Sequence, residues 1–152
     1  MKLSEALILR ADCQKRIEQL KVRLANNAKR QEGEKPQENP ISLIEELENV
    51  FRTLVDLIKK INKTNSATAF AEGKTLMEAL AERDTLMARR NAYSGLASAA
   101  SIVQNAYSRS EIKFVSAVDV TEIQKRVDDL SKQHRELDAR IQAANWQTEL
   151  VD

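Results

Sequence analysis

Few side chains in this sequence could act as a nucleophile or hold a metal. There is one cysteine, Cys13, and one histidine, His134. Together they could form a thiol–imidazole dyad, in which the ring takes the thiol proton. Such a dyad also needs an oxyanion hole. Both residues fall mid-helix, where backbone amides are already bonded, so a small packed cysteine is the better reading of Cys13. Structural zinc takes four Cys or His ligands. A di-iron bundle takes two Glu-x-x-His motifs. Here Ser131 stands three residues before the lone His134, so both fail on residue count. Neither a catalytic residue nor a metal or other cofactor is expected.

Gly73-Lys74-Thr75 resembles the end of a phosphate-binding loop. The full pattern needs a glycine five residues earlier, where Thr68 stands, and a buried strand before it. Without them the amides cannot wrap a triphosphate. Thr75 and Glu78 read instead as a T-x-x-E capping box that opens a helix.

A polar layer is the more informative pattern. Arg10, Arg83, Arg90 and His134 each interrupt an apolar helical seam. In an alternating four-helix arrangement they share one half of the bundle. Buried guanidinium groups need carboxylates or an anion. Asp12, Asp56, Asp84 and Asp138 stand at similar heights, which favours an ion-pair network over a pocket for a small anion or phosphate. Tyr107, Arg109, Lys113 and Phe114 mix aromatic and basic groups as single-strand binders do. Four residues are a short signal, and aromatics packing onto the bundle end or a neighbouring copy suit them better. Asn62-Lys63-Thr64 is a glycosylation sequon that matters only in a secreted chain.

The elements that must carry these residues are helices. The 152 residues include only three glycines and two prolines, too little punctuation for strands and tight turns. The first helix, about 4–27, carries Leu3, Ala6, Arg10, Cys13, Ile17, Leu20 and Leu24 in steps of three and four, a heptad seam. Ser4 is placed to cap it. A charged loop over about 30–39 follows, and Asn39-Pro40 starts the second helix with Asn as cap. That helix, about 40–62, has Ile44, Leu47, Phe51, Leu54, Ile58 and Ile61 as its seam, widened by Val50, Val55 and Leu57. Asn62, Asn65 and Ser66 are expected to end it.

The third helix, about 76–106, runs through Leu76, Ala79, Arg83, Leu86, Arg90, Tyr93, Ala97 and Ala100, with Gly95 marking a bend or a close approach. A short extended segment is expected near 112–118, where β-branched residues gather. The fourth helix, about 119–145, opens on Asp119 and Glu122. Its seam is Val120, Ile123, Val127, Leu130, His134, Leu137, Ile141 and Ala144, with Trp146 just beyond. Four long helices with short connections predict one all-α domain over 1–152, an up-down-up-down antiparallel bundle of four long helices.

Lys and Arg number 24 against 23 Asp and Glu, a net charge of +1, so nucleic acid is not expected as an obligate partner. The amino-terminal apolar run Ala6–Leu9 is too short for a signal sequence, and no run spans a bilayer. A single cysteine excludes an internal disulfide, and the cytoplasm is the expected compartment.

Several stretches, in this order over nearly the whole chain, carry a resemblance: MKLSEALILRAD, INKTNSAT, LAERD, YSRSEIKFVSAVDV with its following QK, and RELDARIQAANW. Together they resemble the septicolysin-like family of small uncharacterised bacterial proteins. The family name implies a thiol-activated, cholesterol-dependent cytolysin, and hence a membrane-active protein. Such toxins carry a Trp-rich membrane loop around a cysteine. Here Cys13 lies in the helical ADCQK and Trp146 is far away in sequence.

The function expected from the residues is therefore a non-enzymatic, self-assembling helical protein, because long helices with wide stripes leave apolar surface to cover. The second helix, the small-residue patch Ala97–Ser101, and Tyr107, Phe114 and Trp146 are the expected contacts between copies. A membrane-active protein and a small-anion binder using the arginine layer are the alternatives.

Overall fold

The computed structural model describes residues 1–101 and 113–152. These form four helices: α1 (Leu3–Asn26), α2 (Pro40–Ala67), α3 (Leu76–Ala100) and α4 (Val120–Gln147). The all-α, four-helix class is the one that the seams predict. Among the described residues there is no strand, and 113–119 form no extended pairing. The expected run of the third helix to about Ala106, with Tyr107 and Arg109, lies outside the described residues. The chain divides into two compact units, one of Met1–Met77 with Gln142–Asp152 and the other of Glu78–Ile141.

In the first unit α1 and α2 form an antiparallel hairpin. Arg16 pairs with Glu46 of α2 and Arg23 with Glu38 just before it, each at 2.5 Å, so partner numbers fall as residue numbers rise along α1. Between the helices Ile17, Leu20, Leu43 and Val50 are buried, with Cys13, Leu24, Leu47 and Leu54 packed against them. Burial of one such aliphatic side chain stabilises by about 1.5–3 kcal/mol. The α1 seam is the expected one.

The α2 seam is not. Its buried residues are Leu43, Val50, Leu57, Ile61 and Thr64. Ile44, Phe51 and Val55 sit about 100° further round the helix, and they are 50%, 44% and 48% exposed. Apolar residues fall on two adjoining flanks of this helix, so periodicity alone admits both registers.

Two helix ends also differ from expectation. Ser4 does not cap α1, because it lies inside the helix and is buried; Lys2 is the N-cap, and its backbone N–H donates to Glu5 Oε2 at 2.7 Å. The second helix does not end near Asn62 but continues to Ala67. The hydroxyls of Thr64, Ser66 and Thr68 donate to the carbonyls of Lys60, Lys63 and Thr64 at 2.8–2.9 Å. These side chains add bonds to the helix rather than replacing them, which is the alternative open to Ser and Thr in a helix. The cap at Asn39 is as expected, accepting from Ile41 N at 3.0 Å.

Beyond α2 the chain turns within the same unit. Ala69 and Thr75 form an isolated antiparallel bridge, and Leu76 N donates to Thr68 O at 2.9 Å. Both ends of the sequence meet here. Leu3 N donates to Thr148 O at 2.9 Å, Leu150 N donates to Met1 O at 2.8 Å, and Val151 N donates to the Thr64 hydroxyl at 3.0 Å. Leu3, Ile61 and Leu76 are all at most 1% exposed, so the junction has an apolar interior beneath these bonds.

The second unit pairs α3 with α4, again antiparallel. Arg83 bonds Asp138, Arg90 bonds Ser131, and the Arg126 guanidinium lies 5.6 Å from the Tyr93 ring centre. Its buried apolar residues are Ala79, Ala97, Val127, Leu130 and Ile141, in the expected registers. A side chain at Gly95 would meet nothing within 4 Å, so this glycine is not a point of close helix approach. Asp119 caps α4, accepting from Glu122 N at 3.2 Å.

Candidate functional site

The residues of the expected polar layer are divided between the two units. Arg10 belongs to the first unit, and its Nε is buried with no hydrogen-bond partner among the described residues. Arg83, Arg90 and His134 belong to the second unit. Seven residues separate the two arginines of α3, about 10 Å of helix rise, so they form rungs of a ladder rather than one site. Arg83, 23% exposed, donates to Asp138 Oδ1 at 3.0 Å and reaches Asp84 at 3.0 Å. Arg90 donates to Ser131 Oγ at 3.3 Å and to Asn91 Oδ1 at 3.1 Å. Each guanidinium therefore has partners supplied by its own hairpin. His134 is half-buried between these rungs on the α4 seam.

The remaining chemical candidates are placed as follows. Cys13 packs against the α1–α2 core and borders a shallow groove of about 430 Å³ shared with Arg16 and Glu46, which pair with each other. Cys13 and His134 fall in different units. At Gly73-Lys74-Thr75 the Lys74 peptide groups are used by the chain itself: Lys74 N donates to Ala71 O at 3.0 Å, and Lys74 O accepts from Phe70 N at 2.8 Å. Gly73 adopts φ +76°, which serves that tight turn. Among the described residues no group of three His, Cys, Asp or Glu is arranged to hold a metal ion.

Charged contacts elsewhere are structural. Asn27, 7% exposed, ends α1 by donating to Arg23 O at 2.8 Å while its Oδ1 accepts from Glu38 N at 2.9 Å. This clamp closes the 27–39 loop. A lone Asn beside another Asn gives no sign of it in the sequence. The hydrogen bond from Arg23 holds the Glu38 carboxyl below the usual carboxylate range and raises Arg23 in turn. Hydrogen bonds from Lys2 and then the terminal ammonium do the same to Glu149, whose carboxylate meets Lys2 Nζ at 2.5 Å.

What remains without an intramolecular explanation is apolar surface. On α2, Ile41, Ile44, Phe51 and Val55 are 67%, 50%, 44% and 48% exposed. They recur at helical spacing, so they make one stripe on the flank beside the buried seam. Of the expected contact residues, Phe114 and Trp146 are well exposed, in different units, and Tyr107 lies outside the described residues. In the second unit Ala99, Ala100 and Ser101 border a groove with Phe114–Val118 of about 540 Å³. Among the described residues, no helix is long and apolar enough to cross a membrane.

Residues 10–150 match the model of a family described as a family of unknown function, DUF6847. The fold is also that of a functionally unknown conserved protein from Corynebacterium diphtheriae, known from its crystal structure. The two share 47% sequence identity over 99% of each chain, with a TM-score of 0.94. No curated protein matches the chain.

Proposed function

We propose, from the premise that the chain belongs to the DUF6847 family of unknown function, that it is a non-enzymatic helical protein that assembles with itself. The observation that carries this reading is the second apolar stripe of α2, Ile41, Ile44, Phe51 and Val55, exposed alongside a seam that already packs on α1. A helix with two apolar faces is usually covered on both. Contiguous exposed apolar surface of this kind marks association sites. Two of the guanidinium groups that could have held an anion, Arg83 and Arg90, are engaged by Asp138, Asp84, Ser131 and Asn91, which favours a structural network over a ligand pocket in the second unit.

Sedimentation velocity on the untagged full chain, from about 5 to about 500 µM, tests the proposal. A sedimentation coefficient that rises with concentration to a discrete plateau is expected. A single monomer boundary throughout that range would sink it.

A further inference from the structure

The charge along α2 is graded. Glu45, Glu46 and Glu48 lie in its first third, and Lys59, Lys60 and Lys63 in its last part, with Arg52 and Asp56 between. This order suits the helix dipole. Glu46 turns to Arg16 of α1 and Lys60 pairs with Asp56, but exposed Glu45 and Glu48 at one end and Lys59 and Lys63 at the other keep the same order, so the exposed face is self-complementary in one direction only. When two copies of α2 lie side by side in parallel, every acidic position meets an acidic one. When they lie antiparallel about a two-fold axis, the acidic third of each meets the basic third of the other.

We infer that the α2 stripe is an isologous interface with a second copy of this chain, in which the two α2 helices pack antiparallel about a two-fold axis level with Thr53. The inference rests on the self-assembly reading above and gives it a surface and a geometry. That axis sets Phe51 of one copy against Val55 of the other, twice, at the centre of the stripe. It sets Glu45 and Glu48 near Lys59 of the second copy. A two-fold interface requires such self-complementarity, because each contact occurs twice.

The size of the patch fixes the expected strength. Four side chains of roughly half exposure leave about 350 Å² of apolar surface per copy, given the 150–250 Å² that a large side chain carries. With the charged flanks included, the pair covers on the order of 1,000 Å², the lower limit for a specific interface. An association in the micromolar range is therefore expected, with the apolar centre dominating and the flanks setting direction.

The competing surfaces are less suited. Phe114 stands beside residues outside the described set, and Trp146 is a single exposed aromatic with no stripe around it. Neither has a graded charge pattern of its own.

The test compares the full chain with four variants by sedimentation at low salt, with circular dichroism as the check on folding. Phe51→Glu should weaken association at least about 100-fold, as expected for a charge at an interface centre. Phe51 is 44% exposed, so helicity should be retained. Glu45→Lys and Lys59→Glu should each weaken association about fivefold, and the double variant should restore it, as cross-interface charge pairs do. Association that is unaffected by Phe51→Glu, or a double variant no better than either single, would overturn the interface while leaving self-assembly standing. A parent chain that is monomeric throughout would overturn self-assembly itself, and this interface with it.

Discussion

Replacing Thr64 by valine isolates one hydrogen bond at the junction where both ends of the sequence meet. Thr64 is 1% exposed, donates to Lys60 O at 2.8 Å and accepts from Val151 N at 3.0 Å. Valine has nearly the same shape, so what the substitution removes is the hydroxyl rather than packing volume. The Lys60 carbonyl keeps its ordinary helical bond. The Val151 N–H, half-buried, loses its acceptor. A lost hydrogen bond contributes about 0.5–1.5 kcal/mol and an orphaned donor adds to that, so the variant should be destabilised by about 1.5 kcal/mol. For a chain of this size the unfolding midpoint should fall by about 3–6 °C. Local opening at Val151 should become about tenfold more frequent, read as faster amide exchange under fixed pH. Thr64→Ser keeps the hydroxyl and should preserve Val151 protection. Equal protection in the valine variant, or equal loss in the serine variant, would refute the role assigned to the hydroxyl.

Three further outcomes are expected. Arg83→Met should lower stability by about 1–2 kcal/mol in denaturant unfolding, because Asp138 loses a half-buried partner, and Arg83→Met with Asp138→Asn together should cost less than the two singles summed. Gly73→Ala should cost about 1 kcal/mol from backbone strain alone, since φ is +76° and a Cβ there would meet nothing within 4 Å; a neutral thermal midpoint would count against this. The carboxyl of Glu149 is held below its ordinary range by Lys2 and then by the terminal ammonium, so its contribution is present above the unfolded value and lost as pH falls through the folded one. The thermal midpoint of the parent chain should therefore exceed that of Glu149→Gln near neutral pH, and the two should converge as the solution is acidified below about pH 4.

Three of the four seams were legible in the sequence because each of those helices has one apolar stripe. Leu20 on α1, Ala97 on α3 and Val127 on α4 lie where heptad spacing puts them. The α2 register was only partly legible: Val50, Leu57 and Ile61 lie in the expected stripe, but Leu43 and Ile44, or Val50 and Phe51, are equally good seam residues until a partner helix selects one. The end of α2 was not legible either. Asn62, Thr64 and Ser66 are turn formers in isolation, but Thr64 is enclosed and its hydroxyl serves the helix and the returning chain at once. Arg83 and Arg90 interrupt the α3 seam as expected and take partners from α4, while Arg10 belongs to the other unit. The division into units follows long-range contacts that a periodic pattern does not encode.

The resemblance to septicolysin-like proteins suggests a membrane assay that bears on the proposal. The self-assembly reading expects no release of dye from cholesterol-containing vesicles at micromolar protein. Release without added partners would favour membrane activity instead.

Native mass spectrometry of the untagged full chain tests self-assembly most directly. At about 50 µM the account predicts a species with the mass of two chains and nothing added, collapsing to one chain on Phe51→Glu. A one-chain species at every concentration, or a chain carrying an additional small mass, would contradict it.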